Sequence, residues 1–92
     1  MIHSLRHKGL RRLYETDNAS GVRGDQADRL RRVLAVLDRI KVPEEADLPG
    51  YRLHALKGGL RGFWSITISG NWPVIFRMEN GQPSDVDLVD YH

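Results

Sequence analysis

A chain of 92 residues, 40% of them hydrophobic and 28% charged, has room for one small core and the balance of an ordinary globular domain, so disorder is not indicated. The absence of cysteine excludes disulfide frameworks and thiolate zinc sites. No apolar run approaches the roughly 18 residues of a membrane span, and "MIHSLRHKGLRR" lacks the apolar core of a signal peptide, so a soluble cytoplasmic protein is expected.

The net charge of +2 is unevenly spread: residues 1–41 carry ten Lys/Arg against five Asp/Glu, and residues 42–92 carry four against seven. A basic first half fits either a polyanion partner or a solvated helix surface. In chain order, "MIHSL" is a short strand candidate, and "HKGLRRLYET" predicts a short helix with Leu10, Leu13 and Tyr14 on one face. "DNASGVRG" is a loop by its Asn, Ser and Gly content. Asp25 is placed to cap the longest helix, about Gln26 to Ile40, whose apolar stripe is Ala27, Leu30, Val33, Leu34, Leu37 and Ile40. Arg29, Arg32 and Arg39 fall largely off that stripe and give the helix a basic outer side. Pro43 marks the stop.

After "LPG" the period changes from helix to strand. "YRLHAL" alternates, "KGGLRG" is a flexible basic connection, and "FWSITIS" sets Trp64, Ile66 and Ile68 against Ser65, Thr67 and Ser69. In "WPVIFRME", Val74, Phe76 and Met78 share a face. Asn80-Gly81 is a strong hairpin signal, and Val86 and Leu88 point inward in "SDVDLVDYH". Two helices followed by an antiparallel meander make an α+β domain over residues 1–92, with the helices on one sheet face.

No phosphate-binding glycine loop, HExxH or GxSxG occurs. His3 and His7 have a helical metal-ligand spacing, but a strand ends between them and no acidic third ligand is near, so no metal site is expected. The chemistry-bearing set is "LHALKG" with the ending "DYH". On an extended strand Asp90 and His92 share a face, about 6.5 Å apart along the chain. Cleavage of RNA without a metal needs a base for the ribose 2′-OH, an acid for the departing 5′ oxygen, and cations for the phosphate. Histidine and aspartate suit the first two tasks, lysine and arginine the third, and tyrosine can stack on a base. The same residues also fit the solvated polar end of a strand.

"SLRHKGLRRLYE", "LPGYRLHALKG", "GFWSITISGNWPVIFRMENG" and "DVDLVDYH", in this order, resemble the HigB group of RelE-like toxins of bacterial type II toxin–antitoxin modules. The resemblance runs from Met1 to His92. It implies a compact domain like the microbial ribonucleases, with two N-terminal helices on a curved antiparallel sheet. It also implies a killer protein of plasmid maintenance that enters the ribosomal A site and cuts messenger RNA there, without metal or cofactor. A helix-turn-helix antitoxin would neutralise it and repress the shared operon, so that operator DNA is met only through the antitoxin. The family's catalytic residues fall on His54, Lys57, Asp90, Tyr91 and His92. Arg52, Arg61 and Arg77 are further candidates for RNA contact. Lys8, Arg11, Arg12, Arg29, Arg32 and Arg39 are candidates for docking on ribosomal RNA.

In one place the chain departs from the family. Many relatives read Asn-Trp-Arg where this sequence has Asn71, Trp72 and Pro73, and the arginine is an active-site cation. Arg77 has the same strand parity but lies about 13 Å further along. Two other readings stand beside the nuclease: a catalytically weak module that works by binding, and a gyrase poison of the related ParE kind. His54 and the "DYH" ending argue against the last.

Overall fold

The computed structural model describes residues 1–90; the expectations placed on Tyr91 and His92 lie outside the described residues. In chain order it holds α1 (Lys8–Thr16), α2 (Ala27–Leu37), a 3₁₀ turn (Pro43–Ala46), β1 (His54–Ala55), a second 3₁₀ turn (Gly58–Leu60), β2 (Trp64–Ser69), β3 (Trp72–Glu79) and β4 (Gln82–Leu88). The four strands form one sheet in the order β1-β2-β3-β4, with every neighbouring pair antiparallel. This is the α+β architecture expected. Leu10 and Leu13 of α1 and Leu30, Val33, Leu34 and Leu37 of α2 pack with Ile66, Val74, Phe76, Val86 and Leu88 in one core. The helices therefore cover one sheet face, as the apolar spacings dictate.

The helix ends differ from the simple capping pattern. His7 caps α1, its Nδ1 accepting the Leu10 N–H at 3.1 Å, so this ring is used locally. Gly9 lies so close to the interhelical loop that a Cβ there would sit 2.1 Å from the Gly21 carbonyl oxygen. Only a residue without a side chain permits that approach. Asp25 does not cap α2. It pairs with Arg23 (2.7 Å), and Gln26 takes the cap position without a side-chain cap bond. The reason is tertiary: the Gln26 side chain is buried and its Nε2 donates to Ser69 Oγ on β2 at 2.9 Å. The helix also stops at Leu37, so Ile40 reaches the core from beyond its end.

That stop is tied to the N-terminus. Asp38 accepts hydrogen bonds from the Tyr14 hydroxyl and from the Ile2 N–H (3.2 Å), joining α1, α2 and the first residues. The Tyr14 hydroxyl, with help from the Ile2 N–H and the N-terminal ammonium, holds the Asp38 carboxyl below the usual carboxylate range. The same contact raises Tyr14. A lowered acid stabilises the fold above its unfolded pKa and loses that contribution as pH falls through the folded value. Asp38→Asn should thus cost about 1–2 kcal/mol at neutral pH, as a charge-assisted hydrogen bond does. The gap between variant and parent in urea titrations should begin to shrink as pH falls below about 4, the ordinary carboxylate value, and close only once it has passed the lowered folded value. A gap that persists undiminished at pH 2 would show that the carboxylate charge is irrelevant.

The strand expectations need three corrections. "MIHSL" does not form a regular strand. It makes one parallel bridge, Leu5 to Val86, flanked by His3 N–H to the Pro83 carbonyl (2.8 Å) and Arg6 N–H to the Val86 carbonyl (2.8 Å), which covers the outer edge of β4. "YRLHAL" shrinks to His54–Ala55, because Gly50 (φ 82°) and Arg52 (φ 51°) hold the left-handed region and turn the chain there. "KGGLRG" contains a 3₁₀ turn rather than an unstructured link. The Asn80-Gly81 hairpin is as expected, with φ of 52° and 75°.

Two register shifts bend the sheet. One lies between Thr67 and Ser69 opposite the start of β3; the other leaves an extra residue in β4, where Asp85 has φ 52°. Pro73 stands beside the first shift, paired with Thr67. β3 is an inner strand, so the proline is accommodated by a bulge rather than by a free edge.

Candidate active site

With Ile66, Val74, Phe76, Val86 and Leu88 in the helical core, strand alternation turns their neighbours to the second face. One row across that face is His54, Ser65, Ile75 and Asp87, given by the pairings of β1 with β2, β2 with β3, and β3 with β4. Three strand steps separate its ends, roughly 14 Å. The next row includes Thr67 and Pro73, and the Val89 N–H donates to the Pro73 carbonyl at 3.2 Å. Pro73 thus lies on the face that carries His54, one row towards the chain end that leads to Asp90. Asp90 itself is exposed just past β4.

His54 is exposed at the sheet edge, its Nδ1 3.1 Å from Ser65 Oγ. Ser65 is only 1% exposed. Expected on a polar outer face, it is instead buried beneath the second face, where it can hold the imidazole and its tautomer. Nothing in the alternation "FWSITIS" distinguishes Ser65 from its neighbours; only the register opposite His54 does. Lys57 is exposed where β1 ends and precedes the 3₁₀ turn. Lys57, Gly58, Leu56 and Arg61 line one cleft of about 420 Å³. Gly58 (φ 66°) and Gly62 (φ 95°) permit the tight path that brings two cations to one cleft. Such a pair in a concave site suits a phosphate. Arg52 is exposed two residues before His54.

Arg77 is committed elsewhere. Its Nε donates to Asp85 at 2.6 Å and its Nη2 to Glu79 at 2.9 Å, while Arg6 approaches Asp85 at 3.4 Å and lies over the Phe63 ring at 5.9 Å. The Arg77 hydrogen bond, and then the Arg6 charge, keep the Asp85 carboxyl below its ordinary value. This cluster braces the β4 bulge, and it leaves Arg77 with two carboxylates instead of an open phosphate site.

The basic residues of the helices divide in the same way. Lys8, Arg11 and Arg12 line a shallow cleft of about 280 Å³ with Glu15 and Thr16. Arg32 on α2 and Arg39, two residues past its end, are both exposed. Among the described residues none of these five is in an ion pair. Arg11, Arg12 and Arg39 each give one hydrogen bond, to the Leu5 carbonyl (2.8 Å), Ser20 Oγ (3.2 Å) and the Ala35 carbonyl (3.3 Å), whereas the half-buried Arg29 gives three, to the Thr67 and Gly50 carbonyls. Its charge is not presented with the others. The basic helix layer and the His54 row lie on opposite sides of the sheet.

Among the described residues no helix is long and apolar enough to cross a membrane. A family model described as "RelE-like toxin of type II toxin-antitoxin system HigB" matches residues 3–92. The chain is also 39% identical over 92 residues, covering 100% of both sequences, to a protein of Proteus vulgaris named "Endoribonuclease HigB". A meander with the helices on one face, a His54–Lys57 segment on its edge strand and an open basic helix surface agree with that likeness. The chain belongs to the HigB-like group of RelE-type toxins of type II toxin–antitoxin systems, and a cognate antitoxin is therefore its partner.

Proposed function

We propose that this chain is a ribosome-dependent endoribonuclease that arrests translation by cutting messenger RNA. The observation that carries the reading is the full-length likeness to a protein named as an endoribonuclease. The arrangement of His54 and Lys57 supports it chemically. The ribose 2′ oxygen loses its proton to a base and attacks phosphorus. The bond to the 5′ oxygen breaks, and an acid protonates that oxygen, leaving a cyclic phosphate and a 5′-hydroxyl. Lys57, with Arg61 beside it, stabilises the charge on phosphorus. Asp90 and His92 perform the proton transfers, and His54 and Tyr91 position the RNA.

Expressing the chain alone should arrest growth, and co-expressing the neighbouring helix-turn-helix gene should restore it. Mapping messenger ends in a translating extract tests the activity directly. Arrest with intact messages, unchanged by His92→Ala, would show that the toxin works without this nuclease. Trapped gyrase–DNA complexes would point to a gyrase poison. The weak-module reading draws on one observation, the proline at position 73. It predicts ribosome or antitoxin binding with no cut ends.

The open cations of the helix layer supply the docking surface for ribosomal RNA, leaving the other sheet face to meet the message. Ribosome affinity should fall steeply with salt as phosphates are neutralised. Changing Lys8, Arg11 and Arg12 together to Glu should weaken binding by at least about tenfold and lower the log–log salt slope by about 2–3. An affinity that is flat with salt, or indifferent to the triple change, places the docking surface elsewhere. An acidic surface of the antitoxin has the charge to cover the same layer while the second face stays open. Purified toxin–antitoxin complex that still cuts messages on ribosomes would count against neutralisation by that contact.

A further inference from the structure

Arg29 is the one basic residue of α2 whose side chain is used up inside the molecule in a way that bears on the second sheet face. Its Nε and Nη2 donate to the Thr67 carbonyl at 3.1 and 2.8 Å, and Nη2 also donates to the Gly50 carbonyl at 2.7 Å. The guanidinium carbon lies 5.3 Å from the centre of the Tyr51 ring. The Thr67 N–H returns a hydrogen bond to the Tyr51 carbonyl at 2.9 Å. One side chain therefore ties the segment at residues 50–51 to β2.

Both tied segments lead to His54. From the first, the chain passes through Arg52, whose φ of 51° is unfavourable for a residue with a side chain and persists only where its surroundings impose it. The Arg52 carbonyl is 3.4 Å from His54 Nδ1. On the second segment, Thr67 is two residues from Ser65, the residue paired with His54 and 3.1 Å from its ring. We propose that Arg29 is a positioning residue of the active site, a clamp that sets the His54 imidazole against Ser65 by holding the Gly50–Arg52 turn on β2. The inference rests on the reading of His54 as an active-site group given above.

The chemistry of the side chain argues against a docking role. A surface cation that meets RNA phosphates needs most of its donors open to solvent, and here Nε and Nη2 are spent on two backbone carbonyls of a half-buried side chain. The planar fork can reach both carbonyls while its face lies on an aromatic ring. A lysine has the charge but not the plane or the spread of donors. Arg29→Lys therefore separates the two roles, since it preserves charge and removes geometry.

The experiment uses the full-length chain as parent, Arg29→Lys, His54→Ala and the double variant. Single-turnover cleavage on programmed ribosomes, ribosome affinity and the NMR signals of the His54 ring are measured for each. Arg29→Lys should slow cleavage by about tenfold to a hundredfold, the effect of a displaced catalytic group. It should leave ribosome affinity within about twofold, because the charge is retained. The His54 ring signals should move, and in the His54→Ala background Arg29→Lys should cost nothing more. An equal loss on top of His54→Ala, or weakened ribosome binding with an unchanged rate, overturns the clamp. Unmoved His54 signals overturn it even if the rate falls. If His54→Ala cleaves at the parental rate, the role given to His54 fails, and with it the positioning role of Arg29. Moved ring signals in Arg29→Lys would then show that the contact orders the turn without serving cleavage.

Discussion

Lys57→Ala is expected to slow single-turnover message cleavage on ribosomes by about 10²–10³-fold, the usual cost of removing one preorganised charge from a phosphate site. The structure makes Lys57 the better choice among the candidate cations of the second face. Arg77 is held by Asp85 and Glu79, whereas Lys57 is exposed and shares its cleft with Arg61. Because Lys57 is exposed at the entry to a 3₁₀ turn and makes no cap bond there, its truncation should leave thermal stability nearly unchanged. Arg61→Ala should cost less, and the double change more than either, since the two cations would share one phosphate. Growth arrest is a poor measure here, because slow cleavage can still be lethal. Cleavage rates at saturating ribosome concentration are needed. A Lys57→Ala protein that cuts at the parental rate would remove the cleft from the mechanism.

Pro73→Arg is expected to raise the cleavage rate, by up to about 10²-fold, restoring the cation that the family resemblance places there. The position can receive it. Pro73 lies in the row next to that of His54 and Ser65, and its carbonyl already holds the Val89 N–H on the path to Asp90. An arginine keeps that carbonyl bond and adds an N–H beside a register shift where the ladder is already irregular. Losing proline's restriction of the unfolded chain should cost no more than about 1 kcal/mol. Antitoxin binding, which we propose uses the opposite side of the sheet, should not change. If the rate stays the same while Arg52→Ala or Arg61→Ala abolishes it, this branch has moved its phosphate cation to the segment around β1. If none of these substitutions alters cleavage, the protein acts as a binding module.

Much of this follows from local pattern. The three- and four-residue spacing from Leu10 to Leu37 and the period-two spacing through Ile66, Val74, Phe76 and Leu88 define which residues face the core, because periodicity alone decides which side of an element is apolar. Asn80-Gly81 specifies its hairpin through the φ values that only such residues hold easily. The quoted motifs also suffice to recognise the family, and with it the candidate roles of His54 and Lys57. Tertiary structure decided what depends on partners distant in the chain. Asp25 lost the cap of α2 because Gln26 is drawn to Ser69, 43 residues away. The strand around His54 is two residues long because Gly50 and Arg52 turn the chain before it. Arg29 and Arg77 read as surface cations because sequence shows their charge but not the carbonyls and carboxylates that occupy them. Ser65 became part of the site only through the pairing of β1 with β2, since register joins residues that no local spacing relates.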